Sequence, residues 1–147
     1  MATPNIVLIM LDDLGPREMS FLGHDKLRTP NIDRLRASSM YFTNAYSGAP
    51  VCAPARSTLL TGTHGGHTTV RGNLGGVPLL AEDVTFAQTL KAAGYATGGY
   101  GKWGVGDVGT DGVPETHGFD EFFGYYHQIH AHDFFTDYLW RNSEKVD

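Results

Sequence analysis

The stretch Cys52-Ala53-Pro54-Ala55-Arg56-Ser57-Thr58-Leu59-Leu60-Thr61-Gly62 decides how this chain is read. Cys52 is its only cysteine. It has no internal disulfide partner and no second thiol with which to share a metal. Three roles remain for it: buried filler, surface thiol or reactive centre. Pro54 suits the first turn of a helix, and Gly62 suits its end, so the spacing predicts a short helix from there to Thr61. Cys52 then lies just before the helix start, where unpaired backbone N–H groups and the helix dipole favour negative charge. Arg56 follows one turn on, with a fork of donors suited to a tetrahedral oxyanion. Thiol, dipole and guanidinium converge, which favours the reactive reading.

Working outward, Ile6 to Leu11 is a continuous bulky run bounded by Pro4 and Asp12, and it predicts a buried strand of a parallel sheet. Residues 14–28 read as loop, punctuated by Gly15, Pro16 and Gly23. Pro30 to Ser38 predicts a helix capped by Thr29, with Ile32 and Leu35 on one face. Tyr41 to Tyr46 predicts a second strand. Thr85 to Ala93 predicts a helix with Asp83 or Thr85 near its cap and Gly94 after its end. Tyr95 to Tyr100 predicts a third strand, and Gly118 to Tyr126 a further short one. The tail from His127 is aromatic and gives no clear element. Strands alternating with helices indicate an α/β fold, a mainly parallel sheet with flanking helices.

The 147 residues suffice for a domain with a real core, and the apolar fraction of 41% fits a globular chain. A net charge of −5 argues against nucleic acid as partner. The longest apolar run is too short to span a bilayer, and no membrane partner is expected. The chain enters its first strand without a basic and apolar leader. As written it reads as cytoplasmic, and as exported if it is a processed form or a fragment.

The run Cys-x-Pro-x-Arg followed by Ser-Thr-Leu-Leu-Thr-Gly resembles the signature of the type I sulfatases, within the alkaline phosphatase superfamily. Three further blocks resemble that family in the same order. They are Pro4 to Gly15, which includes Asp12-Asp13; Thr29 to Leu35; and Gly101-Lys102-Trp103. The resemblance implies that residues 1–147 are the N-terminal part of a sulfatase catalytic domain. It also implies that Cys52 is oxidised to formylglycine by a formylglycine-generating or sulfatase-maturating enzyme, and that the hydrated aldehyde is the nucleophile. Asp12, Asp13 and the modified Cys52 would bind Ca²⁺, with Mg²⁺ as the other hard cation such oxygen ligands suit. Arg56 and Lys102 would contact the sulfate of an aryl or carbohydrate sulfate ester.

Two departures from the family pattern stand out. The remaining metal ligands, a further histidine and a second lysine come from later in longer relatives. The position two residues after Lys102, a histidine in many relatives, is Gly104 here. That leaves one base of the reaction without an assigned residue. His64, His67, Arg71 and Asn73 sit in a Gly-rich loop, where His67 and Arg71 are weak candidates for substrate contact. His127, His130, His132 and Asp133 could suggest zinc, but they lack recognisable ligand spacing, and the surrounding aromatics favour packing. Gly101-Lys102 is not a P-loop, because no glycine stands five residues earlier and Trp103 replaces the required hydroxyl residue. Two alternatives stay open: a phosphomonoester or phosphonate hydrolase of the same superfamily, and a catalytically incompetent fragment. A fragment would self-associate through an exposed sheet edge.

Overall fold

The computed structural model describes residues 3–15 and 17–147; Pro16, read above as loop punctuation, lies outside them. The chain divides into two compact units, residues 1–45 and 46–147.

Among its described residues the first unit contains one α-helix, α1 (Pro30–Ala37), and a single 3-10 turn at Ser20–Leu22. Thr29 is the N-cap residue of α1, but its hydroxyl makes no capping bond. It donates instead to Asp33 Oδ1 at 2.9 Å and lies 2.8 Å from Ser20 Oγ, which itself donates to Asp33 Oδ2. Ile6 to Leu11 does not form the expected buried strand. It pairs with no ladder, and its exposure runs from 38% at Met10 to 82% at Val7. A parallel strand is completed only by neighbours that pair with it, and β-propensity carries no information about those neighbours. Tyr41 to Tyr46 is not a strand either. Tyr41 meets Phe21 edge-on at 5.6 Å, and the Arg36 guanidinium stands 4.9 Å from both rings. A cation–π cluster thus takes the side chain that was expected to face a sheet.

The second unit holds the core. Its elements run α2 (Cys52–Thr61), α3 (Phe86–Ala92), β1 (Gly98–Lys102), β2 (Glu121–Tyr125), a 3-10 turn (His130–His132), β3 (Leu139–Arg141) and β4 (Glu144–Val146). The strands form one mixed sheet in the order β1-β2-β3-β4. β1 and β2 are parallel, with Gly98 opposite Glu121 and Lys102 opposite Tyr125. β2 and β3 are antiparallel, as are β3 and β4. The α/β class therefore stands, with the parallel pair at one side of the sheet.

The β1 strand begins three residues later, and ends two later, than the sequence suggested. Thr97 is held outside it: its N–H donates to Asp120 Oδ2 at 2.9 Å. Three of the five β1 residues are glycines, which hide the strand from a propensity reading. At Gly99 the reason is contact: a Cβ there would lie 2.7 Å from the Phe122 ring and 3.1 Å from the Phe119 ring. The tail, unassigned from sequence, closes as a hairpin. Asn142 and Ser143 connect β3 to β4 with φ of 45° and 64°, the double left-handed geometry of a two-residue turn. Asn142 also accepts the Phe122 N–H at 2.7 Å, which ties the hairpin to β2.

Trp103 anchors the core. It is 3% exposed, and its indole N–H donates to the Gly112 carbonyl at 2.7 Å. Phe119 and Phe122 meet its ring edge-on at 5.5 and 5.8 Å. Its backbone N–H reaches the Tyr125 carbonyl at 2.8 Å and continues the β1–β2 ladder by one residue. The residue before it is Lys102, so this packing fixes where that lysine leaves the sheet.

Candidate functional site

Helix α2 begins two residues earlier than the proline suggested. Val51 is its N-cap in extended conformation, and Cys52 is the first helical residue. Pro54 is tolerated because it stands at the third position, where a helix has no use for an N–H. The first intrahelical bond runs from Ala55 N to Val51 O at 3.0 Å. Ala53 N–H would be an orphan of the first turn, and Asn73 Oδ1 accepts it at 2.9 Å. Asn73, from the Gly-rich loop, therefore caps this helix from a distance of twenty residues. At the other end Gly62 takes φ of +66°, and its N–H closes on Thr58 O at 2.9 Å.

The helix is held by buried polar contacts as well as by Ala53 and Leu60. Ser57, fully buried, shares a hydrogen bond with the Thr68 hydroxyl. Thr58 donates to Ala55 O at 2.9 Å, and its side chain occupies the space where a Cβ on Gly48 would otherwise fall. The buried hydroxyls of Ser57 and Thr58 are thus both paired, as buried polar groups require.

Cys52 and Arg56 are four residues apart and share a face of α2. Both are half-buried. Arg56 Nη1 donates to the Lys102 backbone carbonyl, linking α2 to the end of β1. Lys102 lies within 3.4 Å of His132 Nε2 through its ammonium. Gly104 is buried between these groups with φ of +79°, and a Cβ on it would come within 3.3 Å of Arg56 Cδ and 3.6 Å of Lys102 Cε. In the second unit, then, the end of a parallel strand, a helix flank and a glycine meet, bringing a guanidinium and a lysine together on the helix that carries Cys52 in its first turn.

The two aspartates belong to the first unit. Asp12 and Asp13 are exposed and follow the Ile6–Leu11 run directly. Asp13 has φ of +54°, a left-handed backbone that sets it apart from Asp12. Their donors are all oxygen, the set that suits a hard divalent cation. His67 is exposed with its ring 6.2 Å from that of His64, while Arg71 donates from Nε to the Thr68 carbonyl at 2.8 Å. These contacts hold the loop in shape. In the tail, His130 stacks on Tyr138 at 4.4 Å, meets Tyr125 edge-on at 5.1 Å and shares a 2.6 Å hydrogen bond with Thr136. Among the described residues, no three-residue metal-ligand group includes a histidine. Sequence reasoning did not find His132 beside Lys102 or Gln128 beneath Gly104. Both come from a segment with no periodicity to place it.

Residues 4–144 match the family model described as Sulfatase. Human arylsulfatase A is 43% identical over 130 residues, covering 82% of this chain and 25% of that protein. Human arylsulfatase D is 40% identical over 135 residues, covering 82% of this chain and 23% of that protein. The crystal structure described as Ps i-CgsB superposes with a TM-score of 0.81 at 28% identity, covering 99% of this chain and 37% of that one. A second solved structure, described as being in complex with its substrate D-glucosamine-2-N,6-O-disulfate, gives a TM-score of 0.79 at 28% identity, covering 97% of this chain and 27% of that one. The chain spans about a quarter of the length of the curated relatives it matches.

Proposed function

The chain belongs to the sulfatase family, and on that premise we propose that it forms the nucleophile-bearing part of an enzyme that hydrolyses sulfate monoesters. The observation that carries this reading is the placement of Cys52 in the first turn of α2, one turn before an arginine bonded to the Lys102 carbonyl.

A sulfate monoester presents a tetrahedral group with negative oxygens. The open N-terminus of α2 points backbone dipoles at such a group. Arg56 offers further N–H donors in a fork, and its stem is fixed because one Nη is tied to the strand. Lys102 adds a compact positive charge at the end of β1. Together these residues bind the anion, align its sulfur with the side chain at position 52, and stabilise the charge that moves onto its oxygens as the ester bond breaks. In this reading Asp12 and Asp13 hold a divalent cation, calcium by family resemblance, together with the oxygen that oxidation of Cys52 to formylglycine would supply. Such an ion, held by these residues, would supply positive charge and lower the cost of forming an oxygen nucleophile. Further ligands for the cation would come from a longer protein, since about six to eight oxygens are normal for calcium. The substrate class is an aryl or carbohydrate sulfate, and a formylglycine-generating or sulfatase-maturating enzyme is the partner that must act on Cys52 first.

Two measurements test this. Intact-mass analysis of the peptide spanning Cys52, after expression with a maturating enzyme, is expected to show loss of the thiol in favour of an aldehyde. Parallel assays on aryl sulfate and aryl phosphate, in the longer protein carrying this segment, are expected to favour the sulfate ester. Preference for the phosphate would move the protein to the phosphomonoesterase branch of the superfamily.

A further inference from the structure

His132 has no part in the chemistry assigned to Cys52, Arg56 and Lys102, yet its ring stands beside it. Its Nε2 lies 3.4 Å from Lys102 Nζ and 3.4 Å from Gln128 Nε2. Both neighbours offer only hydrogens at those atoms, one from an ammonium and one from an amide. The Lys102 ammonium has no lone pair, so a hydrogen bond between the two groups uses the Nε2 lone pair of the ring.

Gln128 adds an independent observation. It is 2% exposed, and its Oε1 is buried with no hydrogen-bond partner. That oxygen is directed at Gly104, where a Cβ would fall 2.8 Å away. An unpaired buried carbonyl is costly and calls for a donor. Arg56 stands against Gly104, and His130 and Asp133 are the charged or titratable neighbours of His132 along its own segment. His130 is engaged with Thr136, and Asp133 Oδ1 accepts the Phe135 N–H at 3.2 Å.

We propose that His132 is a second sulfate-binding cation of this site, paired with Lys102, and that it takes up one proton when the anion binds. The proposal rests on reading the site as one for a sulfate group. Without an anion, a proton on Nε2 would place a second positive charge 3.4 Å from the Lys102 ammonium and remove the acceptor it faces. The negative oxygens of a sulfate group lying against both residues reverse that balance and favour the charged ring. The proton comes from solvent and joins the Nε2 lone pair; no other bond changes. Gln128 can serve both states. Its N–H faces the bare nitrogen, and after a half-turn of the amide its unpaired carbonyl accepts from the protonated one.

The test is calorimetric titration of inorganic sulfate into the full chain between about pH 5 and 8, in two buffers of different ionisation enthalpy. Affinity is expected to fall as pH rises, by up to about tenfold per unit, with buffer-dependent heats that report proton uptake. His132→Gln, which can hydrogen-bond but not charge, is expected to bind weakly with no pH dependence. His132→Arg, permanently charged, is expected to restore tight binding that no longer varies with pH. Sulfate binding that is lost in Lys102→Met but is unchanged in His132→Gln, with no proton uptake, would overturn the inference and leave the sulfate site standing. No sulfate binding to the wild type, or binding indifferent to Lys102→Met, would overturn both.

Discussion

At the scale of single residues, the element at position 52 decides what turnover requires. A serine there has one oxygen; once sulfated, it lacks the second hydroxyl through which a hydrated aldehyde would expel the product. Cys52→Ser in the longer protein is expected to release at most about one equivalent of alcohol and then stop, as rapid-quench kinetics would show. Sustained turnover by that variant would refute the role given to Cys52. A second residue reports on the fold. Asp120 Oδ1 is 2.6 Å from Lys91 Nζ, and Oδ2 accepts from the Thr97 backbone and hydroxyl at 2.9 and 3.1 Å. The Lys91 contact first, and then the Thr97 bonds, hold this carboxyl down at about 2. Its folded value lies below the unfolded one, so its contribution is present above the ordinary carboxylate range and is lost as pH falls towards about 2. Thermal melts of Asp120→Asn are expected to lie below wild type at neutral pH and to converge with it in strong acid. A gap that persists at the lowest pH would show that Asp120 acts by something other than its charge.

At the scale of elements, α3 is the clearest example of a local rule deciding a boundary. Thr85 Oγ1 accepts the Gln88 N–H at 3.3 Å, and Gln88 Oε1 accepts the Thr85 N–H at 2.8 Å, a reciprocal capping box. Thr85 is buried and also donates to the His117 carbonyl at 2.6 Å. Thr85→Ala removes the cap and strands that carbonyl, so a loss of about 1–2 kcal/mol is expected in urea unfolding. A loss within a few tenths would mean that the helix is held by Ala87 packing alone. Such a cap is written in residues close together in sequence, which is why α3 was legible to within a residue, while α1 was legible from the proline that opens it. The start of α2 was harder to read, because its cap is Asn73, twenty residues away. The β1 strand was displaced in the reading because glycine, the residue that suits its neighbours Phe119 and Phe122, is the residue that propensity rejects. The β3–β4 hairpin turns on Asn142-Ser143, a weaker signal than Asn-Gly. In the candidate site, Cys52, Arg56 and Lys102 were legible because motifs fix them by spacing. Gln128 and His132 were not, because a tertiary fold back onto Lys102 brings them in.

At the scale of the molecule, burial is unevenly shared. Among the described residues, every fully buried apolar side chain lies in the second unit, from Ala53 to Ala131. The first unit offers Ile6 to Leu11 to solvent and buries none of its α1 residues. The sequence announced that run as core, and its composition does demand cover. What covers it was not readable, because pairing partners are a property of the assembled sheet. A chain comprising residues 46–147 alone is expected to retain the near-ultraviolet circular dichroism of the Trp103 cluster and to unfold in a single urea transition. Loss of that signal would show that the core needs residues 1–45 to form. The same chain is expected to bind less of a hydrophobic dye than residues 1–147, since the exposed aliphatic run is gone.

Trp103 gives the protein an optical reporter beside its chemistry. Its indole is sealed from water, bonded to Gly112 and joined through one peptide link to Lys102. The only other tryptophan, Trp140, is half-buried on a different strand. Fluorescence from position 103 should therefore respond when the neighbouring ammonium changes its company, which would let anion capture be followed in milliseconds without any label.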